Sequence, residues 1–169
     1  MFARSPRHFS QCERGAAAAE MALILPLLIT ILFGCFEAGA YFWAEQKVVK
    51  GVRDGARFAG RQPFSLFTCG SIDAAAETQI KNLTRTGQLS GGTEKIAGWV
   101  NDDVTVTVAC QVPVAGTYTA GGLYANQATG AIHVTVSATV DYPSLFGALG
   151  FDTSGAVVQA SANAAVMGT

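Results

Sequence analysis

A single carboxylate at the start of a long apolar stretch constrains this chain more than any other feature. A short basic leader ends at Gly15, and Glu20 follows five residues later. From Met21 to Phe36 the only polar side chain is that of Thr30. A charged side chain inside hydrocarbon costs about 2.5–3.5 kcal/mol even on the most lenient scale. We therefore expect Glu20 to have a function that outweighs this cost.

The apolar stretch, widened to Ala16–Trp43, is long enough to cross a membrane. At about 1.5 Å per residue, a helix of this length exceeds the roughly 30 Å of the hydrocarbon core. Pro26 is compatible with such a helix, because proline is tolerated in membrane spans. The aromatic residues 41–43 are typical of the belt at a membrane interface. The sequence therefore predicts a transmembrane helix over residues 16–44.

Positive charges flank the predicted span on both sides and do not by themselves orient it. Three arginines precede it, and five lysines and arginines follow it within residues 47–61. We expect the N-terminus in the cytoplasm, because the leader is very short and the C-terminal part has the character of an exported domain. The predicted segments are a leader (1–15), the transmembrane helix (16–44) and an extracytoplasmic domain (45–169).

The four cysteines of the chain divide into two groups. Cys12 lies in the leader and Cys35 in the predicted span, which leaves Cys69 and Cys110 as a pair in the domain. Outside the cytoplasm such a pair predicts a disulfide. Two buried free thiols are the alternative.

Composition and motifs favour a structural or binding role over catalysis. A formal net charge of −1 gives no indication of a nucleic-acid-binding surface. No phosphate-binding glycine loop, metal-spaced His/Cys set or paired acidic motif stands out. His133 lies on the polar face of a predicted strand, and Asn101-Asp102-Asp103 is typical of a turn. We therefore expect no enzymatic activity, no cofactor and no metal.

The periodicity of the domain predicts two helices and a small sheet. The first helix continues past the membrane on an apolar stripe and ends at Gln62-Pro63; the stripe is Val48, Val52, Ala56 and Ala59. A second helix is predicted from an N-cap at Ser71 to Gly87, with an apolar face of Ile72, Ala76, Ile80 and Leu83.

Residues 104–110 and 132–141 alternate with the period of a β-strand, and residues 155–167 do so less regularly. Residues 113–130 are predicted to be a long hairpin connection. The predicted fold class is therefore α+β: a long N-terminal transmembrane helix continuing into a soluble domain with a second helix and an antiparallel sheet of about three strands.

Two glycines, Gly51 and Gly55, lie four residues apart beside the apolar stripe. In an exposed helix each would cost about 1 kcal/mol relative to alanine. They predict the close approach of another element. We favour packing against the sheet of the same domain over a dimer contact between two copies.

Several short motifs stand together in the first 60 residues. They are Arg14-Gly15-Ala16-Ala17-Ala18-Ala19-Glu20, Leu25-Pro26-Leu27-Leu28, Phe33-Gly34-Cys35-Phe36-Glu37-Ala38-Gly39 and Val52-Arg53-Asp54-Gly55-Ala56-Arg57. In this combination the segment resembles the TadE-like pseudopilin family of tight-adherence (Flp) pilus systems. Asp54 replaces the family's glutamate, and Met21 replaces an aromatic residue.

The resemblance implies a pilin-like fold and cleavage between Gly15 and Ala16 by a membrane prepilin peptidase. Glu20 would then be the fifth residue of the mature chain, and it would pair with the N-terminal amine of a neighbouring subunit to set the axial register. An acid buried among apolar helices is tolerated when an opposite charge lies within reach.

The implied partners are the membrane, the prepilin peptidase, other pilins or pseudopilins and the inner-membrane assembly platform. The implied location is a single pass through the inner membrane, with the domain in the periplasm and the option of entering the filament.

Two other interpretations stay open. Leu32-Phe33-Gly34-Cys35 approximates a lipoprotein processing site, which would make the chain a lipid- or membrane-anchored exported binding domain unrelated to pili. Phe33 is bulky where a small residue is usual, and the chain after Cys35 is aromatic and helical rather than a polar tether. A membrane-tethered enzyme is the least favoured hypothesis.

Overall fold

One long helix, α1, runs over Glu13–Gly60, and the rest of the fold follows it in the chain. The computed structural model describes residues 13–111, 122–125, 127, 130–148, 150, 153 and 155–168. The chain divides into two compact units between Gly39 and Ala40. This division concerns internal packing, so the predicted membrane boundary at residue 44 stays a prediction.

In the first unit, α1 presents large apolar side chains to its surroundings. It is the one helix in the described part of the chain that is long and apolar enough to cross a membrane, and its most apolar window contains no buried residue. The helix continues through Pro26, and the Thr30 hydroxyl donates a hydrogen bond to the Pro26 carbonyl at 2.8 Å. This bond satisfies a hydroxyl that would otherwise be unpaired in an apolar setting.

The second unit contains the remaining helices and two small antiparallel sheets. Its elements are β1 (Phe67–Thr68), β2 (Ser71–Ile72), α2 (Ala74–Thr86), β3 (Val104–Gln111), β4 (Ala131–Asp141), α3 (Leu145–Ala148) and β5 (Val157–Ala165). Strands β1 and β2 form a hairpin, and the larger sheet has the order β3-β4-β5. The predicted α+β class, with a second helix and a three-stranded antiparallel sheet, is confirmed.

The core lies between one face of the larger sheet and the predicted stripe of α1. Strand β4 is central, and its Val136 lies opposite Val106 of β3 and Ala162 of β5. The four stripe residues are buried, together with alternate residues of β4. Alternation therefore places β-branched side chains on the covered face and small polar ones on the other, as period two requires.

Helix α2 begins two residues later than predicted. Its N-cap is Asp73 rather than Ser71, because the Asp73 carboxylate accepts hydrogen bonds from the backbone N–H groups of Ala75 and Ala76 at 3.0 and 3.1 Å. Ser71 and Ile72 belong to β2 instead. The predicted end is confirmed, since Gly87 has a left-handed φ of 84°.

The predicted connection over residues 113–130 lies mostly outside the described residues. Within it, Gly122–Tyr124 forms a 3-10 turn. The Tyr124 hydroxyl donates a hydrogen bond to the carbonyl of Val166, at 2.6 Å, and so ties this turn to the residue just beyond β5.

Candidate processing and assembly segment

The predicted cleavage site lies in the first turn of α1. Because the helix begins at Glu13, the bond between Gly15 and Ala16 is two to three residues from its end. The first four N–H groups of a helix have no partner within it. Unwinding this turn therefore breaks few hydrogen bonds. Residues 1–12 of the predicted leader lie outside the described residues.

Glu20 stands exposed at the start of a surface that is otherwise apolar. Its carboxylate forms no ion pair with the residues that the structure describes. Thirteen large apolar residues between positions 21 and 43 are 41–80% exposed. They are Met21, Leu23, Ile24, Leu25, Leu27, Leu28, Ile29, Ile31, Leu32, Phe33, Phe36, Phe42 and Trp43. Such a continuous surface calls for lipid or other apolar helices around it.

Gly51 and Gly55 face helix α2. A Cβ atom at position 55 would overlap Thr84 Oγ1, and one at position 51 would lie 2.5 Å from the Thr84 carbonyl oxygen and 3.0 Å from the Trp99 ring. Another element does approach these glycines closely, as predicted. The prediction that this element is the sheet was wrong, because it is helix α2. Helix α2 takes this place because its face carries the small Thr84 opposite the two glycines.

Thr84 is a packing residue that sequence reasoning missed. It is fully buried, and its hydroxyl donates to the Ile80 carbonyl at 2.8 Å, which satisfies it within its own helix. The buried residues of α2 are Ala76, Ile80 and Thr84, whereas the predicted Leu83 is half-buried. The sequence signal for Thr84 was the regular spacing of four between these buried residues, which matches the spacing of the two glycines.

Cys69 and Cys110 form a disulfide in the structure, with their Cα atoms 5.4 Å apart. Cys69 lies in the turn between β1 and β2, and Cys110 lies near the end of β3. The bond therefore ties the small hairpin to an edge strand of the larger sheet. Cys35, in contrast, is a free and exposed cysteine of the first unit.

The other polar residues considered as candidates from the sequence form no recognisable catalytic arrangement among the described residues. His133 of β4 lies opposite Ala109 and Ala165. Asp103 closes the predicted turn, because its carboxylate accepts the Val100 N–H at 2.9 Å. No group of three or more potential metal ligands occurs in the described part of the chain.

A basic groove in the second unit was not predicted. It has a volume of about 380 Å³ and is lined by Trp43, Gln46, Lys47, Lys50 and Lys95. The Lys47 ammonium lies 5.5 Å from the centre of the Trp43 ring, within cation–π range. The Lys95 ammonium donates a hydrogen bond to the Thr84 carbonyl at 3.0 Å.

The charge of Lys95 is incompletely compensated. Burial lowers the pKa of Lys95 below its usual 10.5, and the nearby positive charge of Lys50 lowers it further, while Asp54 acts in the opposite direction. Burial is therefore the main cost of the Lys95 charge, and repulsion from Lys50 adds to it.

Residues 15–57 match the family model of the TadE-like proteins. The match begins at the predicted cleavage site, contains Glu20, Gly51 and Gly55, and covers about a quarter of the chain. It confirms the resemblance over this segment and associates the segment with Tad pili. Neither the curated proteins nor the solved structures gave a match.

The TadE-like match and the exposed apolar helix lead to the same coarse conclusion. Both fit a protein anchored in a membrane by the N-terminal part of α1.

Proposed function

We propose that the chain is a TadE-like minor pilin or pseudopilin that takes part in assembly of a tight-adherence (Flp) pilus. The observation that carries the proposal is the family match starting at Gly15, on a helix whose apolar side chains are exposed. A filament subunit needs a helical surface of this kind, since it must lie first in lipid and then among the helices of its neighbours.

In this proposal a prepilin peptidase cuts the chain between Gly15 and Ala16. The first turn of α1 unwinds so that the bond becomes extended, and the missing side chain of Gly15 leaves the backbone accessible. The cut releases the short basic leader. It also creates a new α-amine at Ala16, which makes Glu20 the fifth residue of the mature chain.

Glu20 then selects the register between subunits. In lipid its carboxylate has no opposite charge, and this costs free energy. Beside a neighbour's Ala16 amine, the same carboxylate gains an ion pair inside an apolar bundle. Leaving either member of such a pair unpartnered costs about 3–5 kcal/mol, so only the correct axial offset is stable.

The second unit is assigned to the periplasm in this proposal. The Cys69–Cys110 disulfide supports that side of the membrane, because structural disulfides persist in oxidising compartments and are rare in the cytosol. The partners would be the prepilin peptidase, other pilins or pseudopilins and the inner-membrane assembly platform.

The mature N-terminus tests this proposal most directly. The full chain, extracted from membranes of cells with and without a prepilin peptidase, would be measured by intact mass and N-terminal sequencing. We expect a chain starting at Ala16 only when the peptidase is present. A lipidated Cys35 at the N-terminus would establish the exported lipoprotein instead, and an uncut chain in the presence of the peptidase would contradict processing.

A further inference from the structure

We propose that the groove lined by Trp43, Lys47, Lys50 and Lys95, the lysine groove, binds the headgroup of an anionic phospholipid. The proposal uses the membrane anchor of the proposed function but requires neither cleavage nor pilus assembly.

The lysine groove continues into a second depression of about 210 Å³. The two share Trp43, Lys47 and Lys95, and the second adds apolar surface from Ala44, Ile96 and Pro143. No carboxylate lines either depression. The combined cleft therefore places three lysines beside apolar surface, as a lipid headgroup and the beginning of its acyl chain require.

Among the described residues, none of the three lysines forms an ion pair. Burial is the main cost of the Lys95 charge; Asp54 offsets part of it, and Lys50 adds a smaller repulsion. A phosphate between the ammonium groups would offset the cost of burial and would reduce the repulsion between Lys50 and Lys95.

The position of Trp43 favours a lipid over a free phosphate or an acidic protein segment. Its side chain is 68% exposed, and Phe42 beside it is 61% exposed. Both stand at the end of the apolar stretch, where tryptophan side chains typically lie at the level of the headgroups. Lys47 and Lys50 follow within two helical turns, and lysines so close to a membrane surface attract anionic lipids.

Native mass spectrometry of the detergent-solubilised full chain tests the proposal. The chain would be incubated with phosphatidylglycerol, with phosphatidylcholine of the same acyl chains, and with glycerol 3-phosphate. The variant is Lys47→Gln/Lys50→Gln. Lys95 is kept, because its ammonium also binds the Thr84 carbonyl. The control is Lys81→Gln, which removes a lysine that pairs with Glu77 on α2 and does not line the groove.

We expect the wild-type chain to retain phosphatidylglycerol in preference to phosphatidylcholine. Each lysine removed should weaken this retention about fivefold, so the double variant loses roughly twenty-five-fold while Lys81→Gln keeps the wild-type preference.

Three results would overturn the proposal. They are equal retention of the two lipids by the wild-type chain, an unchanged preference in the double variant, and binding of glycerol 3-phosphate as tight as that of the lipid. If the double variant lost a co-purifying acidic protein but retained lipid as the wild-type chain does, the groove would be assigned to that protein instead. Because uncut chain serves equally well, a failure of the cleavage proposal leaves this test intact.

Discussion

Thr84 of α2 occupies the space that a side chain at position 55 of α1 would need. Its hydroxyl oxygen stands where the Cβ of any residue other than glycine would be placed, while its Cβ lies 3.4 Å from that point. The two helices can approach this closely only because Gly55 has no side chain. The overlap that a side chain at position 55 would make thus involves one hydroxyl group, and the removal of that hydroxyl can be tested separately.

Gly55→Ala should destabilise the domain by about 1–2 kcal/mol. Overpacking a close contact costs about 1–3 kcal/mol, and the better helix propensity of alanine returns up to about 1 kcal/mol. The added variant Thr84→Ala removes the overlapping oxygen, so the double variant should be more stable than the sum of the two single changes predicts. Chemical denaturation of the solubilised chain, followed by circular dichroism, measures all four free energies of unfolding.

Two other glycines serve as controls for this cycle. Gly51→Ala should not be rescued by Thr84→Ala, because its Cβ would meet a backbone carbonyl oxygen rather than the side chain. Gly39→Ala should cost nothing, since no atom lies within 4 Å of its added Cβ. Additive effects of Gly55→Ala and Thr84→Ala would contradict the proposed contact.

The Cys69–Cys110 disulfide should contribute about 4 kcal/mol to the stability of the domain. The bond joins residues that are 41 apart in sequence, and the chain-entropy model gives a contribution of this size for such a loop. The double variant Cys69→Ala/Cys110→Ala should lose this stabilisation. Cys35→Ala should not change stability, because Cys35 is free and exposed. Peptide mass mapping without reduction should find residues 69 and 110 linked. Free alkylation of both thiols in exported protein would exclude the bond.

The sheet and the long helix could be predicted because their signals are regular and long. Val134, Val136 and their neighbours alternate over a whole strand, and the stripe from Val48 to Ala59 repeats over three turns. Two-residue strands such as β1 and β2 carry no measurable period. The start of α2 was misjudged because Ser71 and Asp73 are both good caps, and only the backbone geometry selects between them.

The lysine groove could not be predicted, because it depends on tertiary contacts. Lys95 belongs to a loop far from Trp43 in sequence, and only the folded domain places it beside α1. Thr84 escaped notice for a related reason, since a polar residue is normally assigned to the exposed face of a helix. Its burial requires the absence of side chains on the opposing helix.

The half-buried position of Lys95 should appear in the pH dependence of stability. Because its pKa is lowered in the folded protein, the unfolded chain binds more protons between that lowered value and 10.5. Stability should therefore rise with pH across this window. The free energy of unfolding of the wild-type chain, relative to Lys95→Gln, should increase through the window and level off above it. A flat difference would show that burial of Lys95 carries no cost.

Gly15→Val should prevent maturation of the chain. A β-branched side chain restricts the backbone and crowds the bond that the peptidase must reach. The leader would stay attached, and intact mass would show the full chain. Gly34→Val is the matched control, since it makes the same change within α1 where no atom lies within 4 Å of the added Cβ. A mature chain of normal mass in Gly15→Val would refute the assigned cleavage site.

Glu20→Ala should impair assembly while leaving insertion, cleavage and folding intact. Alanine removes the charge, favours the helix and improves the fit to the membrane, so the variant should reach the membrane at normal levels and be cut. In the pilus complex, however, the amine of Ala16 on a neighbouring subunit would be left without its partner. An uncompensated buried charge costs about 3–5 kcal/mol, which corresponds to a loss of about a hundredfold or more in association.

Co-purification with partner pilins, at matched membrane levels, measures this loss. Glu20→Gln keeps the size of the side chain and one accepting oxygen but not its charge, so it should fail as Glu20→Ala does if the ion pair sets the register. Recovery of assembly in Glu20→Gln would assign the role to hydrogen bonding instead. Undiminished co-purification of Glu20→Ala would reduce Glu20 to a charge at the membrane boundary, because no interaction between subunits would then depend on it.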